Sequence, residues 1–329
     1  LAAAGTNTLP TWKSATQQVW KAGFELVTDF FMRHNQYHSS NKTPKNNMMK
    51  NYGLPKKLIK VGLNQMQNCV EMLGRLGGMI DFPVPPNSNM RKSCGKTITR
   101  YYMGGVRSFL PIATCAQREG VRLDQNLKVL DFGCGVGRQL LHFTRKYPAP
   151  SFFACDIDDT AVAFIQKHYP RVSAYTSKFT PPLRYETGFF DMVYSVSIFS
   201  HLNMEDQVIW LKELARVTKP GGCCFLTTEG LPTLKIFCEV FGQNETALRA
   251  RLDKDGFLYK EYPDWQECVK NQNTLKITSL MVGVERSYGN MVLSPDYIRK
   301  QWPSAGFEVR AIVEAIIDDQ QDLVVLRRR

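Results

Sequence analysis

From Lys128 to the end of the chain, short apolar runs alternate with stretches in which apolar residues recur every three or four positions. The runs are LKVLDFG, SFFACDID, RVSAYTS, FFDMVYSVS, GGCCFLTTEG, FEVRAIVEA and QDLVVLRRR. They are too continuously apolar for half-exposed strands, which predicts seven strands with helices between most of them. That alternation specifies an α/β fold: a doubly wound, mainly parallel sheet covered on both faces. Only Ala315 to Gln320 separate the last two runs, too few residues for a crossover helix, so the final strand is predicted antiparallel.

Upstream the period is helical. Trp12, Val19, Trp20, Phe24, Val27, Phe30 and Phe31 mark one helix within Thr11–Tyr37, and Ile59, Leu63, Met66, Val70, Leu73, Leu76 and Ile80 mark a second after Pro55. DFPVPPNSN follows, where Pro83, Pro85 and Pro86 fix φ and remove backbone donors. The chain thus divides into a helical N-terminal extension, residues 1–95, and a sheet domain, residues 96–329. TRYYMGGVRSFLPIATCAQREG reads as a glycine-hinged approach to a helix. Residues 231–295 form an insertion before the sixth strand, with a helical stretch around Leu234–Leu252 and the aromatic piece GFLYKEYPDW. At the carboxyl edge of a sheet such an insertion serves as a lid over a substrate, or else packs on the core as an ornament.

Charge changes the picture at the N-terminus. Of the formal +12, residues 1–70 hold a surplus of +7, with nine lysines and arginines against Glu25 and Asp29. A basic arm of this kind docks on a protein or RNA partner, or is simply a solvated helical face. No run of about 18 apolar residues is present to span a bilayer. The nine cysteines form no CxxC pair and no Cys/His cluster at zinc spacing, which predicts reduced thiols, an intracellular setting and no metal site. The chain starts Leu-Ala-Ala-Ala without Met, which makes a processed mitochondrial protein one expectation and a cytoplasmic one the other.

The candidate chemistry lies in KVLDFGCGVGRQLL. After the first strand, Asp131 precedes Gly133, Gly135 and Gly137, at the place where open parallel sheets bind ligands, and a helix over Arg138–Tyr147 follows. A dinucleotide fingerprint, GxGxxG, would need glycine where Arg138 stands, and no P-loop Gly-Lys-Ser/Thr follows. A nicotinamide dehydrogenase is therefore disfavoured.

An acid, one residue, then GxGxG at the end of a first strand resembles the class I S-adenosylmethionine-dependent methyltransferases. The resemblance covers Arg107 to Gly230 and implies a Rossmann-like seven-stranded sheet with S-adenosylmethionine as cofactor. It assigns Asp131, Gly133, Gly135 and Gly137 to the cofactor's methionine and ribose portions. Asp156, closing FFACD, takes the ribose hydroxyls, while Asp158 and Asp159 read as N-caps of the next helix. Ser177 in YTSKFTPP stands by the adenine, where the family commonly has Asp or Asn. Ser195, Ser197 and His201 of FFDMVYSVSIFSHL face the site, and Tyr102 and Arg107 cover the cofactor, pair with its carboxylate, or serve their own helix.

Methyl transfer is an in-line displacement that needs alignment, and a base only for a protonated acceptor. His201 is the candidate base, or else it caps the next helix or bonds the cofactor's methionine end. Glu229, after the fifth strand, is the other candidate, at a place where relatives carry His. The Asn/Asp-Pro-Pro-Tyr/Phe sequence of DNA amine methylases is absent after strand four, as is a Pro-Cys pair for attack on pyrimidine carbon. Transfer to O or N of a small molecule is therefore the leading expectation. A methyltransferase-fold subunit of a larger, RNA-containing mitochondrial assembly is the alternative.

Overall fold

The computed structural model describes residues 80–87, 89, 97–261 and 288–329. The first N-terminal helical stripe, the second as far as Leu76, the basic arm and residues 262–287 of the insertion lie outside the described residues. The sheet and its helices belong to the unit Pro83–Arg329.

The first described long helix, α1 (Ile98–Arg118), is capped by Thr97, whose hydroxyl accepts the Arg100 N–H. It runs unbroken through Gly104 and Gly105, which corrects the expected glycine hinge. The glycines are a packing notch instead: a Cβ on Gly105 would stand 2.4 Å from the Arg138 carbonyl oxygen and 2.7 Å from the His142 ring. Tertiary contact has overridden the low helix propensity of the pair.

Strand β1 (Lys128–Phe132) pairs in parallel with β2 (Ser151–Asp156) on one side and β4 (Phe190–Ser195) on the other. Beyond β2 lies β3 (Val172–Thr176), and beyond β4 lies β5 (Thr218–Glu229). Pro220, Gly221 and Gly222 loop out near the start of β5, since Phe190 pairs with Thr218 but Met192 with Cys223. The sheet ends in β8 (Phe307–Ile317) and β9 (Gln321–Arg328), with β9 antiparallel to both β5 and β8. Core order is thus β3-β2-β1-β4-β5-β9-β8, the predicted seven strands with an antiparallel last strand. Asp318 and Asp319 turn the final hairpin at φ +55° and +57°, a left-handed pair that matches strand twist and that aspartate tolerates.

One face of the sheet buries Leu130, Phe132, Val193, Leu226 and Val324 against Trp210 of α4 (Met204–Val217) and against Trp302. The alternate residues face α1 and α2 (Leu140–Lys146), where Phe143 lies between Phe109 and Tyr194 at centroid distances of 4.8 and 4.6 Å. Helix α2 begins two residues later than expected, because Val136–Gln139 are still in turns.

The insertion holds α5 (Leu234–Phe241) and α6 (Glu245–Asp255), the expected helices, built around Leu234, Leu248 and Leu252. It also holds a ribbon that the apolar pattern does not predict: β6 (Phe257–Glu261), inside the aromatic piece, antiparallel to β7 (Gly289–Leu293). Glu229 joins β5 to β7 through Val292. Helix α7 (Pro295–Gln301), capped by Ser294, returns the chain to β8. No helix among the described residues is long and apolar enough to cross a membrane.

Candidate functional site

The site begins with the turn after β1. Gly133, Gly135 and Gly137 all have left-handed φ, at +75°, +49° and +74°, where an ordinary side chain is strained. The Gly133 and Cys134 N–H groups donate to the Cys155 carbonyl, which fastens the turn to the end of β2. Close packing adds to the conformational demand: a Cβ on Gly133 would stand 2.4 Å from the Ile198 side chain, and one on Gly137 2.4 Å from Ile165.

Two carboxylates flank this turn. Asp156 accepts the Gly135 N–H at 2.7 Å on one oxygen and the Asp158 N–H at 2.8 Å on the other. Each oxygen keeps a second lone pair, so the group can still accept two hydroxyls. Asp131 is buried, and its Oδ2 lies beside the Tyr194 phenol, a contact short of full hydrogen-bond geometry. Burial pushes Asp131 up to about 8 against the lowering effect of the Tyr194 phenol; the Asp156 charge adds to the rise, and Arg138 opposes it. Asp156 is also raised, first by burial. An arrangement of this kind gains from a ligand that brings a pair of hydroxyls and a positive charge.

Neighbouring acids divide as expected. The Asp158 carboxylate accepts the Thr160 and Ala161 N–H groups and caps α3 (Asp159–His168), while Asp159 is the first helical residue. Ser177 is buried at the end of β3 and donates its N–H to the Asp156 carbonyl. Of the tyrosines on α1, the one that touches the glycine turn is Tyr101. Its hydroxyl lies 3.3 Å from the Val136 carbonyl and 3.0 Å from the Tyr169 hydroxyl. Tyr102 packs its ring edge-on against His142, whose Nε2 bonds the Tyr102 carbonyl. Arg107 pairs with Asp318 at 2.9 Å at an exposed position, tying α1 to the final hairpin.

On the other side of the sheet's carboxyl edge, the loop after β4 is stitched to the insertion. Met291 donates to the Ser200 carbonyl, Gly289 to the His201 carbonyl, and Leu202 bridges Tyr288. His201 is half-buried beside this ribbon with Nδ1 2.9 Å from the Gly289 carbonyl, so Nδ1 carries the proton. Burial lowers its pKa and keeps it neutral. It does not cap the following helix; Asn203 does, accepting the Asp206 N–H at 2.9 Å. Ser195 Oγ and Ser200 Oγ are buried without partners. Glu229 Oε1 accepts from Gln321 at 3.0 Å, Oε2 is buried and unpartnered, and burial raises its pKa.

Asp322 is a further buried acid, unforeseen because it sits inside an apolar strand. Its Oδ1 accepts the Ala315 N–H at 2.8 Å, and its Oδ2 fills the space a Cβ on Gly230 would need. Burial, with Glu314 and Glu229 nearby, pushes it up to about 6 from an ordinary 3.8. The folded chain then binds more protons than the unfolded one between those values. Stability therefore falls as pH rises through that window, by on the order of 2–3 kcal/mol, and the deficit persists above it. Urea unfolding of Asp322→Asn is expected to show a curve flatter by that amount between pH 4 and 7.

Residues 129–222 match the family model described as a methyltransferase domain, a span that contains the glycine turn and Asp156. This span is a methyltransferase domain. A tRNA N(3)-methylcytidine methyltransferase, trm141 of Schizosaccharomyces pombe, is 29% identical over 103 residues, 29% of this chain and 42% of that protein. A demethylmenaquinone methyltransferase of Chlorobaculum tepidum is 24% identical over 157 residues, 46% of this chain and 63% of the relative. The chain thus spans about half the length of these curated relatives. A solved S-adenosylmethionine-dependent methyltransferase from Aquifex aeolicus superposes with a TM-score of 0.45 at 15% identity, over 75% of this chain and 100% of that one. Within the methyltransferase domain, Asp131, Asp156 and all three turn glycines stand together at the carboxyl ends of β1 and β2. Ser177 adjoins them through the Asp156 carbonyl, and His201 and Glu229 belong to the adjoining β4–β5 side.

Proposed function

We propose that this chain transfers a methyl group from S-adenosylmethionine to an oxygen or nitrogen of a small acceptor. The observation that carries the reading is the turn with three left-handed glycines bonded to Asp156, beside the buried carboxyl of Asp131. These groups fit the cofactor: Asp156 takes the ribose hydroxyls, and Asp131 with the turn takes the cationic methionine end. When bound, S-adenosylmethionine supplies a methyl group on a sulfonium, activated for in-line attack.

The chain's own residues do the rest. Neutral His201, held by Gly289, is the candidate to take the acceptor's proton, with Glu229 as the second group able to do so. The ribbon of β6 and β7, bonded along Ser200–Leu202, roofs the acceptor side and excludes water. That roof favours a small acceptor over a polymer, although the relatives' names include both a tRNA and a quinone methylase. Residues 231–295 are accordingly read as the substrate lid of a domain spanning 96–329, and Ser195 as a neighbour of the cofactor.

Calorimetry on folded protein is expected to show binding of S-adenosylmethionine and its demethylated product, S-adenosylhomocysteine; binding of neither would overturn the reading. Labelled methyl transfer from S-adenosylmethionine should then mark the small-molecule fraction of a source extract, and label found only in RNA or protein would reassign the acceptor. The +7 charge surplus of residues 1–70 supports a second reading, a subunit docked on an RNA-containing mitochondrial assembly. Migration of the native protein solely as a free small species removes it.

A further inference from the structure

Three side chains far apart in sequence meet where β9 begins. Gln321 Nε2 donates to Ser197 Oγ at 2.9 Å and to Glu229 Oε1 at 3.0 Å, and Ser197 Oγ lies 3.2 Å from Gln321 Oε1. Ser197 has φ +61°, a left-handed conformation that a serine keeps only where its surroundings hold it. Its N–H is taken by Thr227 Oγ1 at 2.8 Å and its hydroxyl by Gln321. The next residue, Ile198, is the side chain lying against Gly133. One amide therefore holds both the loop that packs on the glycine turn and one oxygen of Glu229. The other Glu229 oxygen, buried and unpartnered, calls for a donor from outside the chain's described residues.

We propose that Gln321 is the positioning residue of the methyl-transfer site: it braces the Ser197–Ile198 loop against the glycine turn and presents Glu229 Oε2 to an acceptor bearing an N–H or O–H group. The inference rests on the functional reading above and extends it to the group that couples the cofactor side to the acceptor side. Around Glu229 the other charged groups of the final hairpin are acids, Asp322 directly and Glu314 acting on Asp322. Gln321 is thus the donor that keeps Glu229 from rising further, and its loss has a titration signature that a purely structural role lacks.

The test uses Gln321→Met, which keeps volume and removes both donors, and Ser197→Ala, which spares the bond to Glu229. S-adenosylhomocysteine affinity is measured by calorimetry. The Glu229 carboxyl is titrated by carbon NMR, its signal assigned by its absence in Glu229→Gln. Gln321→Met is expected to weaken binding about fivefold and to raise the Glu229 proton affinity about tenfold, the size of one lost bond to a charged group. Ser197→Ala is expected to weaken binding alike and leave the titration in place. An unchanged Glu229 titration in folded Gln321→Met overturns the proposal, whatever the binding. If that variant fails to fold, Gln321→Asn, whose shorter amide cannot span both partners, decides by the same criterion. Wild-type protein that binds no S-adenosylhomocysteine overturns the functional reading instead, a result read separately from the titration.

Discussion

Asp156→Ala is expected to raise the dissociation constant for S-adenosylhomocysteine by about 100-fold or more. Two hydroxyl bonds to a carboxylate disappear with the side chain, each worth about 1.5–3 kcal/mol when the partner is charged. The Gly135 and Asp158 N–H groups also lose their acceptor, which leaves the turn fastened to β2 only through the Cys155 carbonyl. Asp159→Asn, at the first position of α3 and outside these two bonds, is the comparison, with affinity within about threefold of wild type. Equal losses in the two variants would show that the ribose does not lie on Asp156.

Gly105→Leu is expected to cost about 3 kcal/mol or more, a fall of roughly 6–12 °C in Tm, and to weaken cofactor binding with it. A Cβ at this position meets the Arg138 carbonyl, a backbone atom of the turn leading into α2, and the His142 ring, so α1 must move away from the turn. Gly104→Ala makes the contrast. Its Cβ would meet the Arg138 side chain, nearest at Nη1, 3.0 Å away, and a flexible side-chain end can yield. Helix propensity then offsets the crowding, and stability should stay within about 1 kcal/mol of wild type. Comparable melting temperatures for the two variants would refute the notch and restore a hinge.

The glycine notch also shows where a sequence reading goes astray and why. A glycine pair lowers helix propensity, so in isolation it reads as a break; packed against a carbonyl, it is what lets two elements approach. Tyr102 was expected over the cofactor, whereas Tyr101 is the tyrosine on the glycine turn, since adjacent helical positions point about 100° apart and only the partner surface selects one. The β6–β7 ribbon escaped because FLYKE carries polar ends and its partner strand follows far along the chain. Arg107 was expected near the cofactor, and the acidic hairpin turn at Asp318, a contact 211 residues away, takes its guanidinium.

What the sequence by itself determined were the features whose physics is local. Strands were announced by continuous apolar runs, the antiparallel finish by a connection too short for a helix, and the glycine turn by acids and glycines at strand ends a few residues apart. Those signals act within one turn or one strand, so neighbouring residues are enough to show them. The tertiary structure alone decided which groups share a site. Gln321 reaches Ser197 and Glu229 only because an antiparallel strand returns its first residue to the carboxyl edge of β5, and His201 gains its tautomer from a ribbon 88 residues downstream. Register between distant strands places these groups, and no periodicity along the chain encodes it.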